Sequence, residues 1–142
     1  MTPSKIHFSP EEIKLVQNQD WLLTKNIIIG KIYDLMGLLS EQLQKDLVQA
    51  PVELIAAGPK ISRGENFKGL PYVMLDYPRF FKKEESCALR TFFWWGNFIS
   101  VTLHLKGVYQ VELADRLIQH SELLADSDFR ICISGDEWEH DL

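Results

Sequence analysis

Two strongly apolar runs, Leu89 to Trp95 and Phe98 to Leu105, are separated only by Gly96 and Asn97. Runs this rich in aromatic and β-branched residues are typical of strands, and a two-residue Gly-Asn connection is typical of a tight β-hairpin. We therefore expect an antiparallel hairpin with positive φ at one or both turn residues. The fold must also cover the aromatic residues that these strands carry, because monomers rarely tolerate large exposed apolar patches.

Alternation along the two strands predicts which side chains share a face of the sheet. The first set comprises Arg90, Phe92, Trp94, Phe98, Ser100, Thr102 and His104. The second set comprises Ile99, Val101, Leu103 and Leu105, and we expect it to face the core. The first face is then covered by the long N-terminal helix, by the acidic tail with Trp138, or by another molecule.

Helical patterns lie on both sides of the hairpin. Ser9, Pro10 and Glu12 form a capping box with proline at the first helical position, which predicts a helix start. An amphipathic stripe predicts a second helix from about Asp20 to Val48. A third helix is expected over Val111–Leu124, with inward residues Leu113, Leu117, Ile118 and Leu124.

The remaining segments predict further strands. Ile61–Arg63 is expected to form a short strand, Gly64–Gly69 a loop, and Pro71–Tyr77 a strand that ends at Pro78 because proline cannot donate to a ladder. Phe129–Ser134 is expected to form the last strand. The segregated order of helices and strands predicts one α+β domain over residues 1–142, with N-terminal helices, an antiparallel sheet of about four strands, one further helix and a C-terminal strand.

Composition and motifs exclude several classes of function. The net charge of -5 argues against non-specific nucleic-acid binding, and no apolar run is long enough to span a membrane. Met1–Pro10 lacks the apolar region of a signal peptide, which favours a cytoplasmic location. There is no phosphate-binding loop and no zinc-type spacing among the four histidines, so we expect no cofactor and no metal. The two cysteines are expected to be free, buried thiols.

One segment combines glycines, prolines and basic residues with aromatics between residues 58 and 79. Backbone amides of such a loop can approach a ligand, and its arginines can bind an anion. The alternative is a solvated basic hairpin in which Asp76 pairs with Arg63 or Arg79. With the neighbouring hairpin, the candidate ligand-binding residues are Lys60, Arg63, Tyr72, Asp76, Arg79, Trp94 and His104.

Two functional hypotheses follow from these features. The first is a non-enzymatic interaction module that uses an aromatic sheet face and the basic loop, with a homodimer through Phe92, Trp94 and Phe98 or a small anionic ligand as partner. The second is a small enzyme that acts on an anionic substrate with Arg63, Asp76, Arg79 and His104, the arginines binding the anion and His104 or Asp76 transferring protons.

Four stretches of the central third resemble an uncharacterised family of small bacterial hypothetical proteins. They are Pro59–Asn66, Gly69–Tyr72, Leu75–Pro78 and Phe93–Asn97. The resemblance implies a bacterial cytoplasmic protein. Because the family has no assigned activity, it supplies no site residues.

Overall fold

A computed structural model describes residues 5–97, 99–132 and 138. Two helices, α1 (Pro10–Val16) and α2 (Gln19–Asp46), and the short α3 (Val52–Ile55) precede an antiparallel sheet. The sheet is a meander of four strands in the order β1-β2-β3-β4, followed by two more helices. The strands are β1 (Lys60–Phe67), β2 (Leu70–Phe81), β3 (Ser86–Trp94) and β4 (Ile99–Lys106), and the last helices are α4 (Val108–Gln119) and α5 (Ser121–Ala125). The α+β class predicted from the sequence is confirmed.

The first helix begins where its capping residues predict, and the second begins at Gln19, one residue before the expected Asp20. The Glu12 amide donates to Ser9 Oγ at 3.1 Å, and the Ser9 amide donates to Glu12 Oε2 at 2.6 Å, which completes the capping box. Asn18 caps α2 by accepting from the Trp21 amide at 3.1 Å. Asn18 therefore lies between the two helices, and its side chain accepts a hydrogen bond from one of the free amides at the start of α2.

The first two strands are longer than the sequence pattern predicted. β1 continues through the expected loop to Phe67, with a register shift between Gly64 and Phe67. β2 continues past Pro78 because its register with β3 shifts between Asp76 and Arg79. A register shift removes the ladder bond that proline cannot make, so Pro78 lies within the strand instead of ending it.

The predicted hairpin of β3 and β4 is confirmed, with a longer connection than two residues. Phe93 pairs with Ile99, and four residues connect the end of β3 at Trp94 to the start of β4. The Asn97 amide donates to the Trp94 carbonyl at 3.1 Å, and Gly96 adopts the positive φ that the turn requires. Phe98 lies outside the described residues.

The sheet has two distinct faces. The helix-side face carries Val73, Leu75 and Tyr77, which pack with Met36 of α2 in the buried core. The far face carries Met74, Asp76 and their cross-strand partners. As predicted, Arg90 and Phe92 of β3 share a face with Thr102 and Ser100 of β4, and this is the far face.

The helix-side residues of β4 do not reach the core. α2 packs mainly over β2 and β1, and three of the helix-side residues of β4, at the edge of the sheet, stay exposed. Ile99 is 39% exposed, Val101 59% and Leu103 48%. The prediction that these three face the core is therefore wrong, because the sheet is wider than the one long helix that covers it. Leu105 is partly buried, as expected.

The C-terminal part differs from its prediction in two respects. The expected single helix begins earlier, at Val108, and is divided into α4 and α5 at His120. Leu117 and Ile118, expected inward, are exposed. Residues 129–132 of the expected last strand have no regular secondary structure, and residues 133 and 134 lie outside the described part.

Within the described part of the chain, the search for helices of sufficient length and apolarity to cross a bilayer finds none.

Candidate functional site

The sheet gathers six of the seven predicted site residues on its far face. In the strand register, Lys60 lies opposite Asp76, and Tyr72 lies opposite Trp94. Arg79 on β2 and His104 on β4 both lie opposite Ala88 of the strand between them. Arg63 is the exception, because it pairs with Val73 on the helix-side face and is exposed.

Asp76 is committed to an ion pair within the sheet. Arg90 Nε lies 2.7 Å from Asp76 Oδ1, and Arg90 Nη2 lies 2.8 Å from Oδ2. Both side chains are largely buried. This bidentate geometry satisfies both carboxylate oxygens and leaves Asp76 poorly placed to transfer protons. The expectation that Asp76 pairs with Arg63 or Arg79 is wrong, since its cross-strand neighbour is Arg90.

Arg79 has a structural role in the approach to β1. Its Nε donates to the Gly58 carbonyl and its Nη2 to the Ala57 carbonyl, both at 2.8 Å. These bonds fix the turn between α3 and β1 and use two of the guanidinium's donors. The basic residues of this segment are therefore dispersed. Arg79 binds backbone carbonyls, Arg63 lies on the helix-side face, and Lys60 is exposed at the start of β1.

The aromatic residues of the far face are buried within one chain. Phe92 is 2% exposed and Trp94 5%. Phe67 covers them, with ring centroids 5.5 Å from Phe92 and 5.1 Å from Trp94, and its carbonyl accepts from Trp94 Nε1 at 3.1 Å. Tyr72 completes the cluster and lies so close to Gly64 that any side chain there would collide with its ring.

This burial overturns the premise of the predicted dimer surface. Phe92 and Trp94 were expected to meet water unless another molecule covered them. Phe67 follows the register shift of β1, which the alternation pattern did not include, and it supplies the cover. The two aromatics are thus core residues and present no apolar surface to a partner.

His104 is also covered from within the chain. The Trp138 ring stacks on His104 with centroids 4.4 Å apart and planes 17° apart. The Arg90 guanidinium lies 4.0 Å from the centroid of the same indole. Trp138 therefore lies over the polar part of the far face. Cover by this residue was one of the alternatives in the sequence analysis.

The two cysteines differ in their surroundings. Cys87 is buried, and this burial raises the pKa of its thiol, so the unreactive protonated form dominates at neutral pH. Cys132 is exposed, contrary to expectation. Across residues 5–97, 99–132 and 138, no group of three or more metal-ligating side chains converges.

A small aromatic cleft lies where the start of α2 meets the end of β3. The Trp21 and Trp95 rings meet edge to face at 6.2 Å. The cleft has a volume of ≈ 270 Å³ and is lined by Trp21, Leu22, Lys25, Leu70, Pro71, Trp95 and Gly96. Small-molecule sites usually measure about 300–1,000 Å³, so this cleft is slightly smaller than the usual range. The sequence analysis missed it because the two tryptophans are distant in the chain.

The helix-side face of β4 is a second candidate surface. It carries Ile99, Val101 and Leu103, which are exposed, whereas Thr91 and Cys87 on the same face of β3 are buried. We call this surface the open half-sheet.

Comparisons with protein-family models, curated proteins and solved structures yield no match to the chain. The resemblance to the bacterial family remains a prediction.

Proposed function

We propose that this protein is a non-enzymatic interaction module that binds another polypeptide through the open half-sheet. One observation carries the proposal. Val101, at the centre of β4, is 59% exposed with apolar neighbours on the same face, while α2 buries the other half of that face. Exposed apolar residues that cluster on one sheet face, unlike those scattered singly, indicate an interaction site.

The position of the exposed residues supports a polypeptide as the ligand. α2 packs mainly over β2 and β1, while Cys87 and Thr91 of β3 are buried. The exposed apolar side chains of this face belong to the edge strand β4, and an edge strand offers unpaired backbone groups to a strand of another polypeptide.

The enzyme hypothesis has weaker support. Of its four residues, Asp76 is paired with Arg90, Arg79 binds two backbone carbonyls, and His104 is stacked under Trp138. Arg63 lies on the opposite face of the sheet. Catalysis needs groups that reach one substrate together, and this arrangement favours a structural role for three of the four.

The proposal is tested with two matched Val→Lys variants. Val101 and Val48 are both exposed, at 59% and 65%, but Val48 lies in the turn after α2 and outside the open half-sheet. The wild type is examined for mass by light scattering and for binding of the apolar dye ANS, which reports exposed hydrophobic surface. We expect at least one signal, a mass above that of one chain or dye binding. Val101→Lys is expected to abolish it, and Val48→Lys to leave it unchanged.

Two outcomes contradict the interaction module. One is a wild-type monomer that binds no dye. The other is an equal response of the two variants, since this would show that the signal does not arise from the open half-sheet.

A further inference from the structure

The two edge strands of the sheet differ in how they are protected against pairing. β1 carries Lys60, Arg63 and Glu65 and is interrupted by a register shift. Charges and bulges of this kind are the usual devices that keep an edge strand from adding another strand. β1 is therefore a blunted edge.

β4 has no such protection along most of its length. From Ile99 to Leu103 it contains no charged residue and no proline, and its register with β3 is uninterrupted. Among the described residues, β3 is the only strand that pairs with it. A regular, uncharged edge with exposed apolar side chains is a template for another strand.

We propose that the strand added to β4 belongs to a second copy of this chain, so that two sheets join through an antiparallel β4–β4 pair across a two-fold axis. This inference rests on the proposed function and names its partner. Closed two-fold dimers are the commonest soluble homo-oligomers, and their interfaces must be self-complementary.

The sequence of β4 meets that requirement. With the axis at Val101, this residue lies opposite Val101 of the partner subunit. Ile99 then lies opposite Leu103 of the partner subunit on the helix-side face, and Ser100 lies opposite Thr102 of the partner subunit on the far face. Apolar residues meet apolar residues and hydroxyls meet hydroxyls. Lys106 falls beyond the paired segment, so like charges do not meet.

The experiment uses charge pairs at residue 101. Like charges directly opposite each other in a strand pair are unfavourable, and opposite charges are favourable. Wild type is expected at twice 16.5 kDa by light scattering. Val101→Lys and Val101→Glu alone are each expected at one chain mass with unchanged circular dichroism, because the side chain is exposed.

An equimolar mixture of the two variants, one of them isotopically labelled, is expected to form a heterodimer by native mass spectrometry. Its dissociation constant is expected to be at least about tenfold lower than that of either variant alone. Only an interface that sets residue 101 opposite its own copy gives this rescue.

The proposal is overturned by a monomeric wild type, by single variants that remain dimeric, or by variants that separate and are not rescued in the mixture. A monomeric wild type that binds ANS in a Val101-dependent manner would remove the second copy as partner and leave the interaction module standing. A monomer without dye binding would remove both.

Discussion

Asp76 and Arg90 form an ion pair at 2.7 Å, and both are largely buried. The Trp138 ring lies over the guanidinium, with its centroid 4.0 Å from the guanidinium carbon. Taking two charges out of water is costly, and the cost is offset only while both partners are present. The pair is therefore expected to matter for stability in a way that an exposed pair does not.

Asp76→Asn should lower the free energy of unfolding by about 3–5 kcal/mol, because it leaves Arg90 charged, buried and without its carboxylate. Urea denaturation measures the change. Lys25→Ala is the control, since it breaks the exposed Lys25–Glu65 pair at 3.0 Å and should cost about 0–1 kcal/mol. Equal costs for the two variants would show that the Asp76–Arg90 pair has no special role.

Alternation placed the candidate residues Trp94 and His104 on one face of the hairpin, and the strand register confirms this. The sequence did not identify Arg90 as the partner of Asp76. Asp76 on β2 lies opposite Arg90 on β3, and the register of the two strands shifts directly after this pair, so that Arg79 lies opposite Ala88. Alternation in the sequence predicts which side chains share a face of the sheet, whereas the residue opposite each side chain on the next strand depends on the register.

α1 shows how far local signals determine an element. Its start is set by a capping box that is readable from four residues, and the structure contains both bonds of the box. None of its residues is buried, however, so α1 contributes little to the core. Pro78 is the opposite case: the local signal predicted a strand end, and the register shift of β2 removed the conflict.

Ser9→Ala should destabilise α1 by about 0.5–2 kcal/mol, the usual cost of losing an N-cap side chain. Because no residue of α1 is buried, the loss should appear as local fraying. Cα chemical shifts of Pro10–Val16 should move toward coil values while the urea midpoint of the sheet stays constant. Unchanged shifts in α1 would show that the cap does not support the helix.

The whole molecule follows the predicted α+β class, but the prediction was wrong about which residues are exposed at two places in the sheet. Phe67 and Trp138 cover the far face, and Ile99, Val101 and Leu103 on the helix-side face of β4 are exposed. Neither cover could be predicted from alternation, because each depends on a segment distant in sequence or shifted in register. The location of the interaction surface therefore required the tertiary structure.

Amide hydrogen exchange of the purified wild-type protein, followed residue by residue by NMR, tests the central claim that β4 is the covered edge. In an edge strand only alternate amides bond to the neighbouring strand, whereas a strand paired on both sides protects nearly all of them. We predict protection of consecutive amides through the centre of β4 and of alternate amides only in β1. Alternate protection in β4, equal to that in β1, would contradict the account.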